Sequence, residues 1–499
     1  MRTFFLILVL VWLPRVSNAQ AVRADAIPAF TAAADAAFTQ AAARFPEVPG
    51  FAVAVVRGDS LVYARGFGTA DREAGRPVTP ETPFYIASVT KTFTALAASL
   101  LAERGVLDLN STLAQHAPGL TLDPAIHADS VRLVNLLTHT AGLANGALTT
   151  RLAYTGEHTA ADRWRLIAET RPARARRGTY AYTNLGYNIL SVILDRETGT
   201  PWQDQLQTLL FTPLGMTRTT AYASRARDAA VPYDAFAAGG LAPATMRKSD
   251  ATMQAAGGFY ASARDLATWL KVQLNDGRLG RRQVLPAGVV AGTHRARVTF
   301  NRQVTGPQVD TAAGLGWRIG KLGRHEVLSH GGGFPGAHAF VLFAPGEQVG
   351  VAFVANEESV AQLLRLYVTR FALDWWSGAA PDAAILDQAR AMVDDRLRGM
   401  NEDRARRAQR TWQLSAPVEA YVGTYVNPAY GTLTVTAENG RLVLRIGQMG
   451  GPAEPFTRPD AVRIEFVPGQ GEVVSFEKDA AGRFTAALYN DYRFVRQAP

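Results

Sequence analysis

Residues 84–105 form the most informative stretch of the chain and have the sequence Phe-Tyr-Ile-Ala-Ser-Val-Thr-Lys-Thr-Phe-Thr-Ala-Leu-Ala-Ala-Ser-Leu-Leu-Ala-Glu-Arg-Gly. Polar Ser88 and Thr90 precede a run dominated by Ala and Leu, and Gly105 follows that run. This is the pattern of a helix with a start signal and a stop signal. The middle of the helix is apolar or small nearly all round, so we predict that it lies inside the domain.

Ser88 and Lys91 stand at the start of this helix, three residues apart. At that spacing their side chains share one face and can touch. A hydroxyl at a buried helix N-terminus is in a field that favours a developing negative charge. A lysine kept from water can lose its proton and accept one from the hydroxyl. This is the Ser-x-x-Lys arrangement of penicillin-recognising serine enzymes.

The use of lysine strengthens this interpretation. Most basic residues are Arg, and Lys occurs only at positions 91, 248, 271, 321 and 478. Position 91 thus keeps the basic residue that can be deprotonated, which Arg cannot. The alternative, a Ser/Thr helix cap with a chance lysine, stays open. A second Ser-x-x-Lys, from Ser475 to Lys478, lies in an alternating stretch typical of a strand, so its side chains should not share a helix face.

The motif Tyr182-Thr183-Asn184 stands just before an apolar run that we predict to be a helix. A Tyr whose phenolate is held near Lys91 can act as a general base. Asn184 can hydrogen-bond a substrate amide or Lys91. The motif is a weak signal by itself, because Tyr-x-Asn recurs at Tyr425 and a Tyr before a helix usually serves packing.

The motif His330-Gly331-Gly332 enters a predicted strand. Glycines there let a substrate carbonyl approach the strand backbone, whose N–H groups can donate to it. We predict an oxyanion hole formed by the backbone N–H groups of Ser88 and Gly333. The alternative is a simple turn.

A zinc site and an α/β-hydrolase nucleophile find little support in the sequence. His325-Glu326 followed by His330 invites a zinc site, but the second His comes one residue too late for His-Glu-x-x-His and the region has a strand pattern. No Gly-x-Ser-x-Gly stands around a plausible strand–turn–helix, which argues against an α/β-hydrolase. We predict no metal site and no cofactor.

Residues 1–19 have the pattern of a signal peptide, with Arg2, an apolar run over residues 4–13 and small residues at 17–19. That run is too short for an ordinary membrane span and no later stretch qualifies, so we predict no span after cleavage. An uncleaved anchor is the alternative. The chain has no Cys, which excludes thiol nucleophiles and disulfides and suits a periplasmic or secreted protein.

The net charge is +9, and part of it is concentrated in the Arg-rich stretches 171–177 and 396–410. A nucleic-acid-binding protein would need aromatic platforms or a reading helix beside such charge. Neither is found. We therefore predict solvated faces and no nucleic-acid partner.

The order of helical and strand patterns predicts the domains. An Ala-rich helix over 28–45, a hairpin over 49–67, a mostly helical region over 108–250, strands from about 312 and a closing helix over 359–376 describe an α+β domain with an all-α insertion. Residues 379–413 are polar and Arg-rich with helical spacing, and we predict a linker helix. Short alternating strands from 418 to 495 predict a small all-β domain, a sandwich or a barrel. The predicted boundaries are 1–19, 20–378, 379–413 and 414–499.

Together and in this order, the three motifs resemble the class C β-lactamase and D-Ala-D-Ala carboxypeptidase family, including its esterase-like relatives. The resemblance runs from about Pro49 to Trp376 and is strengthened by dispersed matches: Leu136-Leu137-Thr138-His139-Thr140-Ala141-Gly142-Leu143, Pro213-Leu214-Gly215-Met216, Ala256-Gly257-Gly258-Phe259-Tyr260, Ala263-Arg264-Asp265-Leu266 and Gly314-Leu315-Gly316-Trp317.

The resemblance implies a β-lactamase/transpeptidase-like fold, an antiparallel sheet flanked by helices, with an all-α subdomain. It also implies Ser88 as nucleophile with Lys91 and Tyr182 as its activating pair. Asn184, His330 and Gly332 would contact the substrate. The β domain looks like the small lipocalin-like module appended to some relatives. There it would shape substrate access or form a homo-oligomer, or it would only stabilise the chain.

His330 stands where true β-lactamases carry the Lys of Lys-Thr-Gly. A His is charged only part of the time near neutral pH, so an esterase or a D-amino-acid peptidase is favoured. We predict an exported serine hydrolase that forms an acyl-enzyme on Ser88 and acts on a small ester, β-lactam or D-amino-acid peptide. The alternatives are a true β-lactamase and a non-catalytic sensor that binds β-lactams or peptidoglycan.

Overall fold

A computed structural model of the chain describes residues 25–237 and 239–498. The predicted signal peptide, residues 1–19, lies outside the described residues. Two nine-stranded antiparallel sheets contain most of the strands. The first belongs to an α+β domain and the second to an all-β domain, which confirms the predicted fold class.

The first sheet is built by nine strands that follow one another through short turns or long insertions. They are β1 (Gly50–Arg57), β2 (Ser60–Asp71), β3 (Arg76–Pro77), β4 (Val298–Gln303), β5 (Gln308–Ala313), β6 (Arg318–Leu322), β7 (His325–Phe334), β8 (Ala337–Ala344) and β9 (Val349–Ala355). Their order across the sheet is β4-β5-β6-β7-β8-β9-β1-β2-β3. Every residue of the central strands β8 and β9 is buried, because helices cover both faces of the sheet.

Six longer helices of the described residues surround the sheets. They are α1 (Ala26–Arg44), α2 (Thr90–Glu103), α3 (Leu185–Thr198), α4 (Ala263–Leu274), α5 (Ala361–Trp376) and α6 (Ala384–Ala408). α1 and α5 share one apolar core with one face of the first sheet, and α4 packs on the other face. α2 is buried along nearly its whole length, as predicted. Its Phe93 ring stacks on the Trp269 ring of α4 at 3.7 Å between centroids.

The insertion between α2 and α4 contains short helices and irregular segments rather than the mostly helical region that was predicted. Apart from α3, the α-helices there are Leu113–His116, Leu133–Leu137, Gly146–Thr150, Ala160–Leu166, Trp202–Leu206 and Thr212–Leu214. Two turns of π-helix, Arg151–Thr155 and Gln207–Phe211, interrupt this region. Another α-helix, Val289–His294, follows α4.

Two further parts of the first domain differ from the prediction. The hairpin of β4 and β5 begins at Val298, whereas strands were predicted only from about residue 312. β4 lies at the sheet edge and is mostly exposed and polar, so it lacks the apolar alternation that marks a half-buried strand. The glycine run 331–333 lies inside β7, so the alternative of a simple turn is wrong.

The second sheet curls into a nearly closed barrel. Its strands are β10 (Gly423–Asn427), β11 (Gly431–Glu438), β12 (Arg441–Ile446), β13 (Met449–Pro452), β14 (Glu454–Pro455), β15 (Ala461–Val467), β16 (Gln470–Lys478), β17 (Phe484–Tyr489) and β18 (Tyr492–Arg496). The order is β13-β12-β11-β10-β18-β17-β16-β15-β14, and β13 lies against β15 across the gap. Of the two predicted architectures, the barrel is the one observed.

α6 occupies most of the predicted linker at 379–413. Its first half carries the buried residues Ile385, Leu386, Ala389 and Val393, which join the core shared by α1 and α5. Its Arg-rich second half is mostly exposed. The first half of the helix is therefore attached to the first domain, and the exact domain boundaries stay predictions. Within the described residues, no helix is long and apolar enough to span a bilayer.

This packing predicts different stabilities for two truncated chains. A chain that ends at Arg410 keeps α6, whereas one that ends at Ala379 lacks it and uncovers apolar surface. Burial of one Leu, Ile or Val side chain contributes about 1.5–3 kcal/mol, so we expect the shorter chain to melt at a clearly lower temperature in scanning calorimetry. Equal melting temperatures would show that α6 does not stabilise the first domain.

Candidate active site

Ser88 lies in a strained turn at the entrance to α2. A 3-10 turn, Ala87–Val89, precedes the helix, and Ala87 has φ +44°, a left-handed conformation that non-glycine residues rarely adopt. Such strain is typical of functional sites. Neither element has a side-chain cap, and the Thr90 hydroxyl instead accepts a hydrogen bond from the Gly258 N–H at 3.0 Å. The alternative that Ser88 and Thr90 only cap a helix is therefore wrong.

Lys91 is fully buried behind Ser88, with its amine held by three oxygen atoms. Lys91 Nζ lies 3.1 Å from Ser88 Oγ, 2.7 Å from Asn184 Oδ1 and 2.5 Å from the Ala256 carbonyl oxygen. Burial, and then the charge of Arg318, hold the pKa of Lys91 well below its usual range. A lowered pKa favours the neutral amine, which can accept a proton.

Tyr182 reaches the same place from the segment that leads into α3. Its ring centroid lies 4.9 Å from Lys91 Nζ, and Ser88 is among the groups that act on the pKa of its hydroxyl. Burial raises the pKa of Tyr182, while the Arg318 charge and the Ser88 hydrogen bond act in the opposite direction. Tyr182 is therefore a protonated phenol near neutral pH rather than the phenolate base that the sequence suggested, and its proton can be donated.

Strand β7 runs directly over Ser88. A Cβ added at Gly332 would lie 2.1 Å from the Ile86 carbonyl oxygen and 2.8 Å from the Ser88 amide nitrogen, so only glycine allows this approach. β6 pairs with β7 only as far as the Arg318–Ser329 pair, whereas β8 pairs with β7 up to Phe334. Beyond Ser329, one edge of β7 is therefore unpaired by β6 and can accept an extended substrate.

Gly333, predicted for the oxyanion hole, and His330, predicted to contact the substrate, lie in different environments. Gly333 is exposed, and its missing side chain would point towards Glu358, not towards Ser88. Only its backbone can take part in the oxyanion hole, which stays a prediction. His330 is buried, its Nδ1 lies 2.8 Å from the Gly331 carbonyl oxygen, and its ring centroid is 6.2 Å from that of Tyr182. Burial, first of all, holds the pKa of His330 well below its usual range.

Arg318 is a member of the site that the sequence did not reveal. It is the first residue of β6, and its guanidinium carbon lies 5.1 Å from the Tyr182 ring centroid. Its Nε has no hydrogen-bond partner among the described residues, and Asp310 Oδ2 is 3.8 Å away. Arg318 thus brings a permanent charge to the place where His330 is neutral. Its position one residue after the matched Gly-Leu-Gly-Trp motif was the available signal.

His139 is a second member of the site whose role was not predicted, although its motif was noticed. The buried ring packs against Tyr182 at 4.6 Å between centroids, and its Nδ1 accepts a hydrogen bond from the Thr183 N–H at 3.3 Å. Burial lowers the pKa of His139 well below its usual range, which agrees with a neutral ring that accepts at Nδ1. His139 therefore positions Tyr182.

The residues outside this constellation have structural partners. Ser475 and Lys478 lie on β16, and Lys478 bonds Ser415 and Asp460 of the same domain, so the second Ser-x-x-Lys has no helical geometry. His325 lies between Glu347 and Asp374 at 2.9 and 3.0 Å. The described residues contain no group of three or more side chains that could hold a metal ion.

Comparison with known proteins identifies the family. A model of the Beta-lactamase family matches residues 38–371, and a domain of unknown function, DUF3471, matches residues 409–487. Since the first match spans well over half of the sequence, the chain belongs to the beta-lactamase family. It is an enzyme of the serine hydrolase class that this family represents, which confirms the predicted class.

Individual relatives agree with this family. A D-aminopeptidase from Gluconobacter oxydans is 28% identical over 69% of this chain, and the match spans 62% of that protein. The D-alanyl-D-alanine-carboxypeptidase/endopeptidase AmpH of Escherichia coli is 27% identical over 62% of this chain and 80% of its own length. The octameric penicillin-binding protein homologue from Pyrococcus abyssi has a TM-score of 0.58 at 22% identity, over 93% of this chain and 99% of that one.

The contact between β7 and Ser88 can be tested at Gly332. In Gly332→Ala the added methyl group would push β7 away from Ser88, and a displacement of about 1 Å can reduce a rate about 100-fold. We expect p-nitrophenyl butyrate turnover to fall by about that factor. Gly346→Ala is the matched control, because nothing lies within 4 Å of a Cβ there. Full turnover by Gly332→Ala would mean that β7 does not approach Ser88 closely in solution.

Proposed function

We propose that the protein is an exported serine hydrolase that forms an acyl-enzyme on Ser88 and cleaves D-amino-acid-containing peptides or related esters. The observation that carries this proposal is the buried Lys91 amine, 3.1 Å from Ser88 Oγ, with a pKa lowered by burial. A non-catalytic binder has no need of such a base. Export rests on the predicted signal peptide at residues 1–19, and a periplasmic or secreted location follows from it.

The lowered pKa of Lys91 and the raised pKa of Tyr182 assign the proton transfers of acylation. Ser88 Oγ attacks the carbonyl carbon and its proton passes to the neutral amine of Lys91, forming the tetrahedral intermediate. When the carbon–nitrogen or carbon–oxygen bond breaks, the Tyr182 phenol gives its proton to the leaving group. The acyl-enzyme then has a Lys91 ammonium and a Tyr182 phenolate, which the Arg318 charge stabilises.

Deacylation returns both protons. Water loses a proton to the Tyr182 phenolate as its oxygen attacks the acyl carbon. The Lys91 ammonium gives its proton back to Ser88 Oγ when the ester bond breaks. The N–H groups of Ser88 and Gly333 would stabilise the oxyanion in both steps. No cofactor enters this cycle.

Arg318 supports substrates that carry a carboxylate on the leaving-group side. His330 is neutral near neutral pH, so it cannot supply the charge that true β-lactamases take from lysine. Arg318 lies beside Tyr182, the residue that would protonate the leaving group, and guanidinium groups bind carboxylates through two hydrogen bonds. The relatives named D-aminopeptidase and D-alanyl-D-alanine-carboxypeptidase act, by their names, on D-amino-acid substrates.

The barrel domain would shape substrate access, because it forms hydrogen bonds with residues 150 and 151 of the first domain. Arg151 Nε donates to the Ala429 carbonyl at 2.7 Å, and the Thr150 and Tyr430 hydroxyls lie 2.9 Å apart. The Pyrococcus relative is octameric by its description, and a homo-oligomer of this chain is part of the proposal.

The nucleophile and its base can be tested together. A fluorophosphonate should label the parent once, at Ser88, and should not label Ser88→Ala. Because Arg cannot be deprotonated in a protein, Lys91→Arg should lose nearly all labelling and ester turnover, by about 10²–10⁴-fold. Lys91→Met, a neutral side chain of similar size, should behave in the same way.

The outcome of these variants separates an enzyme from a structural lysine. Both Lys91 variants should keep a circular dichroism spectrum like that of the parent. An active Lys91→Arg protein would remove the proposed proton transfer, and a label on Ser475 would remove Ser88 as the nucleophile.

The carboxylate-binding role of Arg318 predicts a substrate-dependent effect. We expect Arg318→Gln to weaken turnover of acetyl-D-Ala-D-Ala about 10- to 100-fold more than turnover of its C-terminal carboxamide, since a charged hydrogen bond contributes about 1.5–3 kcal/mol. Comparing two substrates cancels the effect of Arg318 on Tyr182. Arg324→Gln is the control, because Arg324 lies beyond the far end of β6 and bonds Ser377. Equal losses on both substrates, or nitrocefin as the best substrate, would overturn this assignment.

A further inference from the structure

A cavity of about 220 Å³ lies at the end of β7, and it is lined by Tyr85, three residues before Ser88, and by Phe334, two residues after Gly332. Its aromatic wall is formed by Phe84, Tyr85, Tyr260 and Phe334. Tyr85 connects the cavity to the site, because its hydroxyl donates to the Gly257 carbonyl, the neighbour of the Ala256 carbonyl that holds Lys91. The proton transfers proposed above do not use this cavity.

The direction of β7 places the cavity on the acyl side of the reaction. His330, Tyr182 and Arg318 lie at the start of the unpaired edge, where the leaving group would depart. Gly332 lies over Ser88, and Phe334 follows two residues later, which is roughly 7 Å along a strand. A substrate that spans Ser88 along β7 would therefore place its acyl group in the cavity.

Two basic residues line this aromatic cavity, the half-buried Lys248 and the exposed Arg247. Lys248 Nζ lies 4.0 Å from the Phe334 ring centroid and 5.3 Å from that of Tyr85. It donates to the carbonyl oxygens of Ala153 at 2.5 Å and Thr252 at 3.3 Å. Within the described residues its third N–H has no hydrogen-bond partner and no carboxylate forms an ion pair with it. Burial lowers the pKa of Lys248 to about 7.

A structural role alone explains this arrangement poorly. Bonding two carbonyl oxygens does not need a lysine, and even partial burial of an ammonium group, as at the half-buried Lys248, is unfavourable without an acidic partner. Of the 52 Lys and Arg residues in the chain, all but five are Arg. Among the residues that the structure describes, no carboxylate pairs with Lys248, and a substrate can supply this anion.

We propose that this cavity is the acyl-side subsite and that Lys248 selects acyl groups that end in a carboxylate. The inference rests on the proposed function, because the subsite serves the acyl-enzyme on Ser88. The ligand class is an aliphatic chain with an anionic end, such as a dicarboxylic acid linked through one carboxyl group. The aromatic wall contacts the methylene groups and Lys248 pairs with the terminal carboxylate.

Two esters that differ only at their far end test this proposal. They are p-nitrophenyl hydrogen adipate, which ends in a carboxylate, and p-nitrophenyl adipamate, its neutral carboxamide counterpart. We expect the parent to prefer the adipate by about tenfold or more in kcat/KM, and Lys248→Met and Lys248→Gln to lose that preference. Lys271→Met is the matched control, because Lys271 lies on α4 away from the cavity, and it should keep the preference.

The pH dependence of the preference gives an independent readout. Lys248 is cationic below its pKa and neutral above it, so the adipate-to-adipamate ratio should be higher near pH 6 than near pH 8.5. The titratable groups that face Lys248 are Tyr85, Tyr154 and Tyr260, whose raised pKa values keep them neutral in this range, and the guanidinium group of Arg247 also lines the cavity. Titration of Lys91 affects both esters and cancels in the ratio.

Failure of this inference can be told apart from failure of the proposed function. If the parent hydrolyses both esters with a ratio that Lys248→Met leaves unchanged, the subsite is wrong and the hydrolase stands. If the parent hydrolyses neither ester and Ser88 is not labelled, the proposed function is wrong. In that case calorimetric titration with hexanoate and hexanamide decides on the cavity, since only hexanoate should bind, and only when Lys248 is present.

Discussion

The removal of Lys91 from water is the physical condition on which the active site depends. An ammonium group in water holds its proton far above neutral pH, and burial without a carboxylate partner reverses that preference. Its enclosure comes from α2, from Asn184 and from the carbonyl oxygen of Ala256. The segment around Ala256 is in turn bound to α2, because Thr94 donates to the Ala255 carbonyl and Thr90 accepts from Gly258. The packing of the first domain therefore keeps Lys91 in the buried environment that lowers its pKa.

A second constraint is the supply of positive charge by a neighbouring strand. In the sequence, His330 is the residue that departs from the Lys-Thr-Gly pattern. In the fold, the register of β6 and β7 places Arg318 opposite Ser329, next to His330. The charge lost at one position is thus present on the adjacent strand. A guanidinium cannot be deprotonated, so its effect on Tyr182 would persist over the whole range in which Lys91 titrates.

Local patterns and the resemblance predicted much of this structure, and long-range geometry explains the rest. Ser88 and Lys91 were found because a spacing of three residues joins side chains within one helical turn. Tyr182, Asn184 and His330 carried recognisable motifs. Arg318, although it directly follows a recognised motif, and Lys248 were not assigned roles, because those roles come from strand register and from the enclosure of a cavity, which no local spacing encodes. The edge strand β4 was missed because its exposed, polar residues lack the pattern of a half-buried strand.

An irregular segment of the first domain connects the barrel domain to the acyl-side cavity. Residues Arg151–Thr155 form one turn of π-helix, a conformation that is rare and often found at functional sites. Arg151 bonds the Ala429 carbonyl of the barrel, and the carbonyl of Tyr154 accepts from Gln448 of the barrel. The same segment provides the Ala153 carbonyl that holds Lys248 and the Tyr154 ring that stacks on Phe334. A shift of the barrel that is transmitted through this segment would therefore reach the acyl-side cavity before it reached Ser88, so the appended domain can tune selectivity while the nucleophile and its base stay in place.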